Sequence, residues 1–177
     1  MPERKVLLLP DPVLKRRAEP AGGPDPDLAA DLVDTMRVSP GCVGLAAPQI
    51  GVSKRAFCVD VSEHPSQRKR GARNHGLVIL FDPELIHSEG SEVRREGCMS
   101  VPDLTANVRR AVRVVVRGID EQGRPRVIEA EGFEARAFQH ELDHLDGFVI
   151  LDRVASLTTD VFRRKVYQPR RTRPPGS

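Results

Sequence analysis

Gln139-His140-Glu141-Leu142-Asp143-His144-Leu145-Asp146-Gly147 is the stretch whose reading decides this chain. It contains an HExxH pattern. On an α-helix, residues four apart stand one above the other on one face, so both imidazoles can reach a single metal ion. Glu141, next to the first histidine, is placed to move protons to and from water at that metal. The flanks predict a helix. Gly132 precedes the run Phe133 to Leu145, which lacks Pro and Gly, and Gly147 stands where a helix would end. The chain has only five histidines, so an accidental pair of surface histidines is the weaker reading.

HExxH supplies two protein ligands, and a catalytic tetrahedral site wants a third with water completing the set. The candidates are Cys98 in Glu96-Gly97-Cys98-Met99-Ser100, the other cysteines, Cys42 and Cys58, and several carboxylates. The spacing alone leaves these open. A lone cysteine after glycine is more often a packed small hydrophobe.

The 177 residues fit one domain with a real core, and 39% hydrophobic with 30% charged content fits a globular chain. There is no apolar run of about 18 residues, so no membrane helix is expected. The opening Met-Pro-Glu-Arg-Lys and Val6 to Leu9 lack a signal peptide's features, which points to the cytoplasm. Three cysteines are an odd number for a disulfide framework and read as buried thiols or ligands. The charge sits at one end. Val161 to Ser177 carries six basic residues and no acidic one, leaving 22 basic against 25 acidic residues elsewhere. Such a tail is usually a solvated end. Its sharper reading is contact with RNA, as on a ribosome, through phosphate neutralisation.

Outward from the motif, Val13 to Arg17 predicts one helical turn. Asp27 to Arg37 predicts an amphipathic helix, with Leu28, Leu32 and Met36 at four-residue spacing. Cys42-Val43-Gly44-Leu45-Ala46-Ala47-Pro48-Gln49 is small and apolar with one amide at its end. Small side chains let a ligand backbone approach closely, and the Gln49 amide could serve a developing oxyanion; an ordinary buried strand and turn is the plainer reading. Arg55 to Val61, Leu77 to Phe81 and parts of Leu85 to Glu96, interrupted at Ser88 to Ser91, read as strands. Ser62 to His75 is a polar, basic surface excursion. Val112 to Arg117 and Arg124 to Ala130 flank a hairpin turn at Asp120 to Gly123. Phe148 to Leu151 predicts a short strand and Leu157 to Tyr167 a terminal helix. From about residue 168 the tail is expected to be disordered, leaving one catalytic domain over 1–167.

Three separated segments, CVGLAAPQ, EGCMS and QHELDHLDG, in that order, resemble the peptide deformylase family, and so does the opening VLLLPDPVLKRRAEP. The resemblance covers about Lys5 to Asp152. It implies that Cys98 joins His140 and His144 as metal ligand. It implies one divalent ion, with Fe2+ as the native metal in many members and Zn2+ in some; a Cys-His-His set also accepts Ni2+ or Co2+. It further implies hydrolysis of the formyl group from N-formylmethionyl nascent peptides. Glu141 would be the general base, and the Gln49 side chain and Met99 backbone N–H would hold the oxyanion. Val43, Gly44 and Leu45 would line the peptide as an added strand, and Arg110 would pair with Glu96. Phe133 and Ala137, seven and three residues before His140, would border the methionine pocket. Two departures stand out: Cys42 replaces a usual glycine, and Thr105 replaces an arginine near the substrate path. The expected fold is α+β, with mixed or antiparallel sheets around a central helix carrying HExxH, plus an N-terminal and a C-terminal helix. Two rivals are an HExxH peptidase cutting internal amides and a non-catalytic binding module around a structural zinc. The first usually takes Glu or His as third ligand, and the second needs a fourth.

Overall fold

In the computed structural model, which describes residues 3–165, eight strands form two antiparallel sheets with two α-helices. The larger sheet has the order β1 (Gly44–Ala46), β2 (Ala56–Val59), β3 (Val78–Glu89), β6 (Arg113–Ile119), β7 (Pro125–Glu131). The smaller contains β4 (Glu92–Cys98), β5 (Val101–Arg110) and β8 (Val161–Arg163). The only parallel pairing among the described residues is the isolated bridge between Glu19 and Lys54.

Period-two alternation builds two layers on the larger sheet. Leu45, Ala56, Cys58, Ile79 and Phe81 face α1 (Pro26–Val38), where they pack with Leu28, Leu32 and Met36. Ala46, Phe57, Val59, Val78, Leu80, Val114, Val116 and Ile128 face the other way and pack on α2 (Gly132–Leu145) through Ala135, Phe138, Leu142 and Leu145. Burying a side chain such as Phe138 contributes roughly 1.5–3 kcal/mol. Helix α1 starts where Asp25 accepts from the Leu28 N–H at 3.1 Å and Pro26 takes the first turn. Helix α2 ends in a Schellman turn. Gly147 N–H donates to His144 O, Phe148 N–H donates to Asp143 O, and Gly147 has φ +81°.

The helical turn near Val13 is a 3-10 turn over Pro12–Lys15. The expected interruption at Ser88 to Ser91 narrows to a reversal after Glu89, with Gly90 at φ +70°. The strand expected over Leu77 to Phe81 continues through Asp82 to Glu89. Asp82 sits in a bulged register of β3 with φ +48°, and its carboxylate accepts the N–H groups of Ala21 and Gly22.

Two expectations are corrected. Phe148 to Leu151 is not a strand, since Ile150–Arg153 forms a 3-10 turn whose preceding N–H, on Val149, donates to Asp152 at 2.8 Å. The terminal helix from Leu157 does not form either. Leu157 to Thr159 make a turn, and Val161–Arg163 add a strand to β5 in the register Leu104↔Arg163, Thr105↔Phe162, Ala106↔Val161. An open edge on β5 takes up the backbone donors that a helix would have paired internally, so tertiary pairing overrides local propensity. Residues 166–177, including the end of that expected helix and the expected disordered tail, lie outside the described residues. No helix among the described residues is long and apolar enough to cross a membrane.

Candidate metal centre and active-site cleft

The HELDH segment lies on the last turns of α2, and its two imidazoles meet the end of β4. The Cys98 Sγ, His140 and His144 ligand atoms all fall within 4.8 Å of one another. His144 Nε2 is 3.3 Å from His140 Nε2 and 3.4 Å from Cys98 Sγ. Cys98 reaches this point because the ladder between β4 and β5 shifts register after Gly97, pairing Cys98 with Val101 and leaving Met99 and Ser100 as a tight turn. Three soft and borderline donors converging on one point fit a divalent transition metal.

Electrostatics support the same set. Burial works against ionising Cys98, but the charge of His144 and hydrogen bonds from both imidazoles outweigh it and hold the thiol well below its ordinary value. Burial disfavours the charged form of His140, yet hydrogen bonds to Cys98 and Glu96 push its pKa well up. The cluster therefore favours a thiolate, the form that binds metal.

His140 Nδ1 is turned toward Glu96 Oε1 at 3.1 Å, which leaves Nε2 facing Cys98 and His144. Glu96 also accepts a bidentate pair from Arg110, 3.0 Å each, and a bond from Arg136 at 2.9 Å. Burial alone would raise the Glu96 pKa; the His140 and Arg110 bonds lower it to about 2. Arg110 continues to Asp143 at 2.6 Å, and Arg153 closes on the same carboxylate with two bonds. The Arg110–Glu96 pair is thus present. The sequence reading missed Arg136, Asp143 and Arg153. Their signal was available in part: Arg136 and Asp143 are four before and three after His140, on its helix face.

Glu141 is buried, its Oε2 makes no hydrogen bond among the described residues, and burial raises its pKa. It is held against β1: a Cβ on Gly44 would lie 2.7 Å from Glu141 Oε1. Gln49 is fully enclosed. Its Oε1 accepts the Ala46 N–H at 3.0 Å, which turns its NH2 toward Ser100 Oγ at 3.1 Å and Cys98 Sγ at 3.8 Å. Ser100 is a further residue the sequence reading did not single out. Cys42, the residue in place of a glycine, donates its thiol to Gly44 O at 3.0 Å, and burial pushes its pKa up to about 12.

A cleft of about 1020 Å³ opens over this centre, lined by Val43, Gly44, Met99, Phe133 and Ala137 among others. Phe133 stacks on His64 with ring centroids 3.9 Å apart, so the polar excursion 62–75 forms one wall. His75 and its backbone N–H are anchored on Glu134 at 2.6 and 2.8 Å. The Leu45 side chain is absent from the cleft; it is fully buried beneath α1, so only its main chain can face a ligand. β1 is an edge strand, with one side unpaired within its sheet.

This is an α+β protein with a Cys-His-His metal-binding constellation beside a buried glutamate, the class of a metal-dependent hydrolase. A family model for polypeptide deformylase matches residues 3–160. A peptide deformylase of Thermodesulfovibrio yellowstonii is 42% identical over 164 residues, covering 91% of this chain and 94% of that protein. The crystal structure of peptide deformylase from Thermotoga maritima superposes with a TM-score of 0.77 at 35% identity, over 88% of this chain and all of that one. A Met-Ala-Ser-bound peptide deformylase of Acinetobacter baumannii also gives 0.77, at 32% identity, over 86% of this chain and 99% of that one. The chain belongs to the polypeptide deformylase family and is a hydrolase.

Proposed function

We propose that this chain hydrolyses the formyl group from N-formylmethionyl peptides of newly made proteins, with Cys98, His140 and His144 as the ligands of one divalent ion. The observation that carries the ligand assignment is the convergence of those three donor atoms within 4.8 Å, with Cys98 and His140 lining the cleft. An ion held there supplies Lewis acidity, polarising the formyl carbonyl and acidifying water. We assign Fe2+ as the native metal on the family resemblance; the thiolate–imidazole set also accepts Zn2+, Ni2+ and Co2+.

Glu141 takes a proton from the attacking water and delivers it to the departing amine. Water oxygen bonds to the formyl carbon, the C–N bond breaks, and formate and a free amino terminus result. The raised pKa of Glu141 suits it to both halves of that transfer. The Gln49 NH2, fixed by its other contacts, and the Met99 main-chain N–H donate to the oxygen as it gains charge. The peptide main chain extends along the open edge of β1, against Val43, Gly44 and Leu45, as an added strand. Its methionine side chain fills the space bordered by Phe133 and Ala137. Helix α2 is then the central element, touching the larger sheet through Phe138 and the smaller through Arg136 and His140.

Newly made chains place the activity in the cytoplasm. The basic segment from Val161 onward is read as contacting ribosomal RNA; truncation after Tyr167 should weaken salt-dependent ribosome binding, and unchanged binding removes that part. The central test is anaerobic purification, metal analysis and a formate-release assay. One equivalent of metal and formate release, both lost in Cys98→Ser, are the expected results. Cleavage of internal peptide bonds without formate release would overturn the assignment.

A further inference from the structure

β8 carries a cation into the cleft from beyond the family-matched stretch, which ends at residue 160. Arg164 follows β8, and its N–H donates to Asp103 O at 2.9 Å, so its backbone is pinned to the start of β5. Its guanidinium then lies over Gly97, one residue before the Cys98 ligand. A Cβ at Gly97 would collide with Arg164 Nη2 and stand 3.3 Å from its Cζ. Glycine is thus what allows the side chain to lie flat on the cleft wall. Arg164 lines the cleft, and its guanidinium has no acidic partner among the described residues.

Apart from Glu131, which also lines the cleft, the neighbouring charges are otherwise committed. Arg95 stacks at 3.5 Å on the Phe162 ring of β8 and donates to Asn107 and Thr105. Glu96 is held by Arg110, Arg136 and His140, and Glu92 pairs with Arg94 at 3.4 Å. Lys69, Arg70 and Arg73 line the same cleft, again without an acidic partner among the described residues. A cleft of about 1020 Å³ is larger than one methionine side chain needs. At about 3.3 Å per residue, an extended peptide carries its next side chains only a short way beyond the methionine, within reach of this lining.

We propose that Arg164 is a specificity-determining residue that binds an aspartate or glutamate side chain carried just after the formylmethionine, within the field of Lys69, Arg70 and Arg73. The inference rests on the deformylase reading above. A guanidinium presents a planar fork that a carboxylate accepts in two parallel bonds, and a wall of one sign raises the local concentration of the opposite charge. Thr105, opposite Phe162 in the ladder, holds no charge, so the cation on this wall comes from the added strand rather than from β5.

The test compares formyl-Met-Ala-Ser, formyl-Met-Asp-Ser, formyl-Met-Ala-Asp and formyl-Met-Ala-Lys, all as C-terminal amides so that no terminal carboxylate competes. Formate release gives kcat and KM for the metal-loaded enzyme and for Arg164→Met, Arg164→Lys and Arg164→Glu. One acidic peptide should exceed the lysine peptide by about tenfold in kcat/KM at low salt, mainly through KM, and the ratio should shrink in high salt. Arg164→Met should bring the ratio to within about twofold, Arg164→Lys should restore part of it, and Arg164→Glu should reverse it. These ratios are taken within one preparation and do not depend on how much of a variant folds. Formate release with the same ratio in all four proteins, or with no acidic preference in the parent, overturns this inference alone. No formate from any peptide overturns the deformylase reading and this inference with it.

Discussion

Gly44 and Glu141 fit together as a surface and the group resting on it: the position a Cβ would take on Gly44 lies 2.7 Å from Glu141 Oε1 and 3.1 Å from its Cδ. The contact joins edge strand β1 to helix α2 at the buried carboxylate. Gly44→Ala must therefore push the carboxylate from its place. Misplacing a reacting group by about 1 Å costs about a hundredfold. We expect kcat for formate release to fall by about that factor with bound metal retained. Unchanged kcat would show that Glu141 has room to move and still act.

Gln49 is tested through its donor atom. Removing one oxyanion donor costs about 100- to 1000-fold in turnover, so Gln49→Ala should lose that much kcat. Gln49 Oε1 also accepts the Ala46 N–H, so unfolding should be measured alongside. A variant with full turnover would remove Gln49 from the mechanism.

Arg110 links Glu96 to Asp143 inside the protein, and Arg110→Met leaves both carboxylates short of a charged partner. Arg136 still holds Glu96 and Arg153 still holds Asp143, so the loss should fall below the about 3–5 kcal/mol of a buried charge left wholly unpaired, and urea unfolding measures it. Because Glu96 orients His140, metal affinity should weaken by about 10- to 100-fold in a chelator competition. Loss of stability without any change in metal affinity would confine the network to a structural task.

Thiol chemistry should report the metal. Burial, followed by the charge of Glu141, raises both Cys42 and Cys58, and Cys42 at about 12 stays protonated at pH 8. Cys98 is shifted the other way. A thiol reagent at pH 8 should leave the loaded protein unmodified, and one thiol, Cys98 by peptide mapping, should react as a chelator removes the ion. Modification of Cys42 first would contradict this ordering.

Gly147 closes α2 at φ +81°, and a Cβ there would meet Lys15 O at 2.8 Å, a backbone atom that cannot swing aside. Strained positions of this kind cost about 1–3 kcal/mol. Gly147→Ala should lower unfolding stability by at least that amount in a urea titration. A neutral result would mean that the Lys15 segment yields easily.

Local signals carried the helices and most strands. The four-residue spacing of Leu28, Leu32 and Met36 and the alternation around the Asp120 to Gly123 turn are patterns that short segments display alone. The end of the chain was read wrongly because Val161 to Arg163 suit either a helix or a strand. The free edge of β5 decided between them, and that edge is remote in sequence.

By itself, the order of residues determined that two imidazoles and a glutamate would share one turn of helix, because helical spacing is a property of the local backbone. It also carried the family, through three short segments whose chemistry stands in the residues themselves. Only the tertiary structure brought Cys98 to within 3.4 Å of His144 Nε2, routed the charge network from Arg136 to Arg153, and laid Arg164 across Gly97. Those relations join segments tens of residues apart. They follow from sheet register and core packing, which no local run of side chains specifies alone.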